Sequence, residues 1–382
     1  TASKKEFIAD NVRAELLKST DAFGRTQEKA AVLRNNAQSE NESPNPFAAV
    51  VTDYLYYTGK NNTAQGRVDT IHTRVTYGTS MAQENNVREY RLGYGYDKNG
   101  NIDGEYEMDA DGSVIDARYY YEYDEANQLI RVDDNVQKKT FTYQYDKGGN
   151  RVSEKIYPYT ESDNLGTPEK TVKSLYNYIQ WKDRLSSYDG KAIKYDAAGN
   201  PVSYGDQKYV WMGKQLTEII NADGTKTTFA YDADGFRTEK HQIGADGTEE
   251  YVVYYIWLNG VLTQQYLLYT MEVTIKGETR RIQVPFFVEF IYDESNQAQG
   301  CILNGDAGYL FVRNLQGDVI ALADMEGRVM IEYNYDPWGK ISYTYFDENG
   351  NPSNEIADES LQMITAIFCP LTYRGYNYDF TT

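Results

Sequence analysis

The sequence predicts an all-β protein made of repeated antiparallel hairpins, with little helix. The first observation is its composition: 37 Tyr stand beside 13 Phe and 4 Trp in 382 residues, and Tyr favours strands and pairs across them. The second is a Tyr-Asp pair followed by a turn residue, which recurs through most of the chain. The third is a set of short apolar runs, each closed by a Gly-bearing turn.

Residues 309–341, YLFVRNLQGDVIALADMEGRVMIEYNYDPWGKI, carry the hairpin pattern most clearly. Runs of alternating character are separated by turns that contain Gly317-Asp318 and Gly327, as hairpins require. The last run places Tyr335 and the residues two and four before it on one strand face. It ends at Asp336.

A shorter form of this hairpin unit recurs along the chain, and its recurrence predicts a repeat protein. The Tyr ends a strand, the Asp carboxylate accepts hydrogen bonds from turn N–H groups, and Gly or Asn supplies a positive φ. An underlying unit of about 20 residues fits stacked supersecondary repeats. The motif residues are Tyr96, Asp97, Gly100, Tyr123, Asp124, Tyr145, Asp146, Gly149, Tyr195, Asp196, Gly199, Tyr231, Asp232, Gly235, Tyr292, Asp293, Gly317, Asp318, Tyr335, Asp336, Pro337, Trp338 and Gly339, with weaker copies at Trp181 and Trp211.

The strand pattern divides the chain into three parts. Residues 1–49 are predicted to form irregular strands of the same type, including a turn at 20–25, and a polar loop at 35–46. Residues 50–345 form the repeat body, in which the runs within 251–292 are apolar on both faces and predict strands covered on both sides. Residues 346–382 combine a polar loop with a returning aromatic segment.

The net charge of −19 and the pI of about 4.6 bear on the partners. Nucleic-acid binding rests on Lys and Arg that neutralise phosphates, so a nucleic-acid partner is not expected. The same charge opposes docking on an anionic membrane, no targeting signal is expected in this chain, and no apolar run approaches the ~20 residues of a membrane span. Two cysteines, Cys301 and Cys369, form no disulfide framework or metal motif.

Three kinds of chemistry are alternatives to plain packing and turn formation for these residues. Turn carboxylates such as Asp97, Asp109 and Asp232 suggest calcium, but these turns place Gly fourth and not sixth, so no metal and no cofactor is expected. The two histidines, His72 and His241, are near no hydrolase motif, so no catalytic residue is expected. Aromatic stripes with Trp257 and Trp338 favour core packing over sugar binding, with glycans as the alternative partner. Tyr and Trp side chains suit both core packing and stacking on sugars.

Several segments resemble the RHS/YD-repeat family. The Tyr-Asp turns at 96–101, 145–150 and 195–200, the run YIWLNGVLTQQ at 255–265, and the stretch from 312 to 340 match its repeats. The segment PLTYRGY, with Tyr373, Arg374 and Gly375, resembles the start of the family's core element. The resemblance covers at least residues 50–382.

The resemblance implies a spiral strip of hairpins that forms an open or partial hollow barrel, a shell around a C-terminal toxin or effector domain. It also implies an aspartyl autoproteolytic core, which is expected to lie beyond Thr382, so the chain is expected to be a non-catalytic shell segment. Its partners would be that effector domain or other shell segments, with self-association through open strand edges. Secretion or cell-surface display as part of a larger bacterial protein is expected. A cell-surface adhesin is the alternative function, and an enzyme that cleaves itself near Asp336-Pro337 or Asp379 is a third.

Overall fold

A computed structural model describes residues 1–35, 46–58, 66–79, 84–177, 183–275, 278–347, 349–353 and 370–376. Within these ranges the chain forms 28 strands and one 3-10 turn, Tyr373–Gly375. No helix in the described ranges has the length and apolar character needed to cross a bilayer. The prediction of an all-β chain with little helix is confirmed.

The strands follow one another with short connections. The first fourteen are β1 Ala2–Ile8, β2 Val12–Thr20, β3 Thr26–Asn35, β4 Phe47–Tyr56, β5 Val68–Gly78, β6 Glu84–Tyr96, β7 Ile102–Met108, β8 Val114–Tyr123, β9 Leu129–Asp134, β10 Lys139–Tyr145, β11 Arg151–Pro158, β12 Lys170–Asn177, β13 Arg184–Tyr188 and β14 Lys191–Tyr195. The rest are β15 Pro201–Tyr204, β16 Gln207–Met212, β17 Gln215–Ile220, β18 Lys226–Tyr231, β19 Arg237–Ile243, β20 Glu249–Leu258, β21 Val261–Ile275, β22 Glu278–Tyr292, β23 Ala298–Leu303, β24 Ala307–Arg313, β25 Val319–Ala323, β26 Val329–Tyr335, β27 Ile341–Phe346 and β28 Pro352–Ser353.

Neighbouring strands in the chain pair antiparallel, as the hairpin pattern predicts. The β2–β3 pair runs from Val12 opposite Asn35 to Thr20 opposite Thr26, and β25, β26 and β27 pair in the same successive way. In β26 the alternate residues Ile331, Tyr333 and Tyr335 are buried. Side-chain alternation therefore gives each strand one face for packing.

The described residues form two compact units. Unit 1 comprises those within Thr1–Thr140, Tyr159–Glu161 and Phe290–Phe380, and unit 2 those within Phe141–Pro158 and Ser162–Glu289. The predicted division at residues 49 and 345 is a matter of sequence segments and stays a prediction.

Unit 1 contains an apolar core between two groups of strands. Val12, Leu33 and Val75 of the β2–β6 group belong to one buried cluster with Leu310 and Val312 of β24. Burying each side chain of this size stabilises the fold by about 1.5–3 kcal/mol before the entropy cost. This core holds the strands of unit 1 in position, and with them the turns that connect those strands.

Unit 2 consists of shorter consecutive hairpins with a mixed buried face. Phe229, Val253 and Leu267 are buried there, and the Thr227 hydroxyl donates to Gln242 Oε1 at 2.8 Å in the same buried layer. Because buried polar groups are costly without partners, this bond allows polar side chains on a packed face.

Two expectations for the strands need correction. The first segment contains regular strands and not irregular ones: β1, β2 and β3 pair with continuous register up to a single shift at Ser19–Thr20. Alternate apolar residues of β2 and β3 enter the unit 1 core, and Phe7 of β1 packs against it. Coverage on both faces within 251–292 is limited to a short part such as Tyr251 to Val253. The outer half of the β21–β22 hairpin extends past β20, and Ile282 is 44% exposed there.

Several predictions fall outside the described residues. These are the weak copy at Trp181, Cys369, the second Tyr-Asp near the end with Asp379, and most of the two polar loops at 35–46 and 346–360.

Candidate functional site: the Tyr-Asp turns and the segment docked on them

The Tyr-Asp turns share one hydrogen-bonded geometry, which the Asp97–Asn101 turn displays in full. Oδ1 of Asp97 accepts N–H bonds from Asn99, Gly100 and Asn101 at 2.7–2.9 Å, and Oδ2 accepts one from Nδ2 of Asn101 at 2.8 Å. The Asp97 N–H donates to the Asn101 carbonyl, which closes the turn. Desolvation acts to raise the pKa of Asp97, but the bonds from Asn101, Gly100 and Asn99 outweigh it and lower that pKa below its usual value.

The other copies repeat this arrangement. In each, the carboxylate accepts the N–H of the residue four positions ahead, and the fourth residue of the turn is left-handed. That residue is Gly100 with φ 94°, but Asn127 with φ 58° or Asn296 with φ 56° in the copies that lack Gly, as the tolerance of Asn for this region allows. The acids are Asp124, Asp146, Asp196, Asp232, Asp293 and Asp336.

The aromatic residue before the turn ties the hairpin together at its open end. The Tyr123 hydroxyl donates to the carbonyl of Ile102, the first residue of the hairpin's other strand, at 3.0 Å. Tyr335 donates in the same way to Val319 at 2.6 Å. In Trp211 the indole Nε1–H takes this role, donating to Pro201 at 2.6 Å. We call this bond the clasp; Tyr96, Tyr176, Tyr195, Tyr231 and Trp257 form further clasps.

The clasp was not anticipated from the sequence, although a signal for it is present. Tyr fills the position before the Asp in all seven copies from Asp97 to Asp336, Trp takes the aromatic position in the weaker copies, and only one of the 13 Phe residues, Phe346, precedes an Asp. Tyr and Trp both carry a donor at the tip of the ring and Phe does not. If this position served packing alone, Phe would be expected there as often as Tyr or Trp.

Neighbouring turns also contact each other. In unit 1, Nδ2 of Asn101 donates to Asn127 Oδ1 at 3.0 Å. In unit 2, Nδ2 of Asn200 donates to the carbonyl of Gly213 at 2.8 Å. In both cases the amide that ends one turn therefore reaches the turn that follows two strands later in the chain.

The turn at 314–318 exchanges the two polar ends of the motif. Asn314 holds the first place, and its Oδ1 accepts the Asp318 N–H at 2.9 Å while its Nδ2 donates to Asp318 Oδ2 at 2.9 Å. Asp318 is 3% exposed, and its Oδ1 is left facing the segment at 370–376. The Arg374 N–H donates to that oxygen at 2.8 Å.

Two more contacts hold the docked segment, which we define as residues 371–375. The Val319 N–H donates to the Thr372 carbonyl at 3.0 Å, and the Tyr373 hydroxyl donates to the Pro337 carbonyl at 3.0 Å. At Gly339, with φ 88°, an added Cβ would lie 2.6 Å from the Tyr373 ring, so the close approach requires glycine. The structure thus brings Asp318, Pro337 and Gly339 together with Tyr373 and Arg374.

A pocket of about 110 Å³ lies beside the docked segment and contains a buried ion pair. Nε of Arg118 lies 3.0 Å from Oε1 of Glu105. Burial raises the pKa of Glu105, while Arg118 opposes that shift. Asp336, which lines the same pocket, accepts the N–H bonds of Trp338 and Lys340. These carboxylates are engaged in holding chain segments, which is a structural use.

The other titratable candidates are also engaged in strand contacts. His72 lies 3.1 Å from Glu89, and His241 lies between Glu239 and Glu249 at 3.0 and 2.7 Å. Cys301 is buried. Among the residues that the structure describes, no group of three or more His, Cys, Asp or Glu side chains is arranged to hold a metal ion.

Comparison with known proteins bears on this geometry. The RHS Repeat family model matches residues 213–249. The chain is 27% identical over 266 residues to the tRNA3(Ser)-specific nuclease WapA of Bacillus spizizenii, and equally to the tRNA nuclease WapA of Bacillus subtilis strain 168. Each match covers 67% of this chain and 9% of the relative. These matches confirm the resemblance to the RHS/YD-repeat family.

Solved structures agree with this assignment at the level of the fold. The structure of TcdB2-TccC3-Cdc42 superposes with a TM-score of 0.62 at 16% identity, covering 97% of this chain and 19% of that one. TcdB2-TccC3-TEV gives a TM-score of 0.50 at 15% identity, covering 90% and 20%. The RHS-repeat hairpins described here therefore form the same type of strand arrangement, and the chain spans less than a tenth of the WapA nucleases.

Proposed function

We propose that this chain is a non-catalytic shell segment of a longer RHS/YD-repeat protein, and that the shell encloses and presents a toxin or effector domain. The observation that carries the proposal is the use of the motif side chains. The aromatic residue forms a clasp across a hairpin, the acid accepts the N–H bonds of its own turn, and the amide bonds to the turn that follows two strands later. Such a repeat builds a wall that extends hairpin by hairpin.

Two facts about the relatives support this proposal: the activity that their names state, and the small share of their length that the chain matches. They are tRNA nucleases, and this chain resembles 9% of their length. The net charge of −19 disfavours direct contact with tRNA by this part. We therefore assign nuclease-type activity, or any other effector activity, to another part of the longer protein.

The test uses the longer protein that contains this chain. Limited proteolysis followed by mass spectrometry should show that peptides of the effector region are resistant under native conditions. They should become cleavable at a denaturant concentration that opens the repeat hairpins. Cleavage of the effector region at the same rate with and without folded hairpins would contradict enclosure.

The proposed partners are that effector domain and other shell segments, and the proposed location is the cell surface or the exterior. Self-association through a strand edge is part of the proposal, because unpaired edges template pairing. Sedimentation of the purified chain over a range of concentrations tests it. A single monomeric species throughout would remove this part of the proposal.

Absence of catalysis is proposed on the same geometry. Asp336, in the Asp336-Pro337 sequence, accepts two N–H bonds at 2.9 Å within its own turn. A carboxylate held in this way is poorly placed to attack or protonate a neighbouring peptide bond. Incubation of the purified chain for days should give one stable band, and a site-specific cut after Asp336 would overturn the proposal.

A second candidate function, glycan binding, rests on Trp338. Its side chain is 48% exposed on a Tyr-Asp turn, and an exposed indole face stacks on sugars. Trp257, in contrast, forms a clasp and stacks on Phe236 with 5.0 Å between ring centroids. Binding on a glycan array that Trp338→Ala abolishes and Trp257→Phe preserves would favour an adhesin.

A further inference from the structure

Unit 1 contains a second, larger pocket of about 270 Å³, far in sequence from the docked segment. It opens between the β1–β5 strands and the turn that begins at Asp293. Its floor is formed by Leu16, Ala31 and Val50, which belong to the buried core and lie opposite one another in register. Concave sites with an apolar floor and a few converging polar groups are the usual form of small-molecule sites.

A row of cations stands above this floor. Lys18 lies directly opposite Lys29 in the β2–β3 pair, and Lys5, on β1, lies opposite Leu16 in the floor. All three lysines line the pocket. Like charges placed directly opposite each other across strands are destabilising. The arrangement is unexpected in a chain with a net charge of −19.

The neighbouring acids do not neutralise Lys18. Lys29 Nζ lies 3.0 Å from Asp293 Oδ2, and Asp293 also accepts bonds from its own turn. Lys5 Nζ donates to the Tyr292 carbonyl at 2.8 Å. Glu294 also lines the pocket, from the exposed corner of the turn. Within the described part of the chain, the Lys18 ammonium has no hydrogen-bond or ion-pair partner.

We propose that this pocket binds a small molecule that has one anionic group and an apolar body. The anion occupies the space beside Lys18, where it relieves the repulsion between Lys18 and Lys29. The apolar body lies on the floor formed by Leu16, Ala31 and Val50. This inference is independent of the shell function, because the pocket lies wholly within unit 1. The residues proposed to contact the ligand, Lys18 and the floor, lie on strands and not in the Tyr-Asp turns.

The experiment compares two probes that differ in charge and share an apolar body. Isothermal titration of the full chain with 4-phenylbutyrate should show saturable binding with one site, and 4-phenylbutan-1-ol should bind at least tenfold more weakly. Equal affinities for the acid and the alcohol would overturn the anionic part of the proposal. Absence of saturable binding by both would overturn the site.

Variants locate the site. Lys18→Gln should weaken binding of 4-phenylbutyrate about tenfold, and Ser3→Trp, at the half-buried pocket mouth beside Lys18, should abolish it. Lys4→Gln is the matched control, since Lys4 lies on β1 next to Ser3, pairs with Glu15 at 3.0 Å, and does not line the pocket. Loss of binding in Lys4→Gln equal to that in Lys18→Gln would place the probe elsewhere.

A second readout covers folding of the variant. Without probe, Lys18→Gln should melt at the same temperature as the parent or slightly above it, because one of two opposed charges is removed. With probe, the parent should gain thermal stability and the variant should not. A lower melting temperature for Lys18→Gln without probe would show that Lys18 has a structural partner, and would overturn the proposal.

Discussion

The turns at 97–101 and 314–318 have the same backbone and opposite chemistry at their ends. In the first, Asp97 opens the turn and Asn101 closes it. In the second, Asn314 opens the turn and Asp318 closes it. The amide-to-carboxylate bond survives the exchange at 2.8 and 2.9 Å, but the carboxylate moves from the first residue to the last.

The difference teaches how a repeat unit acquires a docking function without losing its shape. Oδ1 of Asp97 is filled by N–H groups of its own turn. Oδ1 of Asp318 instead faces outward from the turn and accepts the Arg374 N–H. A repeat position that serves the turn in one copy thus serves a distant segment, 56 residues away, in another.

The largest effect is expected from removing the carboxylate of the 314–318 turn, which we call the exchanged turn; the 97–101 turn is the ordinary turn. Asp318→Ala deprives Asn314 and the Arg374 N–H of their acceptor in a buried place. Because bonds to charged groups contribute about 1.5–3 kcal/mol each and unpaired buried donors are costly, unit 1 should lose about 3 kcal/mol. Urea unfolding followed by tyrosine fluorescence measures this loss.

Asp97→Ala is the matched variant for that measurement. Its turn lies near solvent, which can replace the lost acceptor, so about 1 kcal/mol is expected. The segment at 371–375 should stay docked in this variant and undock in Asp318→Ala, as hydrogen exchange at Arg374 would report. Equal losses in the two variants would remove the distinction between the turns.

The clasps that follow the two turns give a second, smaller contrast. Tyr335→Phe removes the donor to the Val319 carbonyl, which comes directly after the exchanged turn; Tyr123→Phe removes the donor to Ile102, directly after the ordinary one. Tyr335 is 8% exposed, so water does not replace its hydroxyl as the partner of the Val319 carbonyl. The free energy of unfolding should fall by about 2 kcal/mol. Tyr123 is half-buried, and about 1 kcal/mol is expected.

Thermal unfolding of both variants and the parent checks this contrast. A Tyr335→Trp variant is a useful addition, because Trp211 and Trp257 show that an indole N–H forms the same bond. Partial recovery by Trp relative to Phe would support the hydrogen bond, and identical behaviour of Trp and Phe would attribute the loss to packing.

Reversing the exchange should have a still smaller effect. The double variant Asn314→Asp/Asp318→Asn rebuilds the ordinary order and keeps the amide-to-carboxylate bond. It replaces a charged acceptor for Arg374 by a neutral one, a change of about 1 kcal/mol. Hydrogen exchange at Arg374 should accelerate about fivefold, while the turn amide of residue 317 stays protected.

The repeat and the strands were predictable because each motif residue has a local function. Tyr, Asp and Gly or Asn recur at fixed spacing, and the turn geometry at Asp97 needs nothing beyond five consecutive residues. The same locality explains the confirmed antiparallel hairpins, since a turn of this kind sets the pairing of the strands beside it.

The sequence patterns do not predict the docking role of the exchanged turn, nor the packing of two groups of strands in the unit 1 core. Gly317-Asp318 was identified as a turn, but the functional partner of Asp318 is Arg374, far along the chain. The packing of Val12 and Leu33 with Leu310 likewise joins segments nearly 300 residues apart. Period-2 alternation says which face of a strand is buried and does not say what covers it.

Acid titration gives the smallest and most selective test of the comparison. The folded-state pKa of Asp97 is lowered, so its charge contributes stability that is present above the unfolded-state pKa of about 3.9 and is lost as the pH falls through the folded-state value. Asp97→Asn should therefore be less stable than the parent at pH 7. The difference should be smaller at pH 3, below the unfolded-state pKa, and should vanish only below the lowered folded-state pKa of Asp97. Paired urea titrations at the two pH values measure it. A difference of the same size at pH 7 and pH 3 would show that the carbonyl oxygen and amide geometry, and not the charge, organise the ordinary turn, and the advantage of placing the acid first would then need another cause.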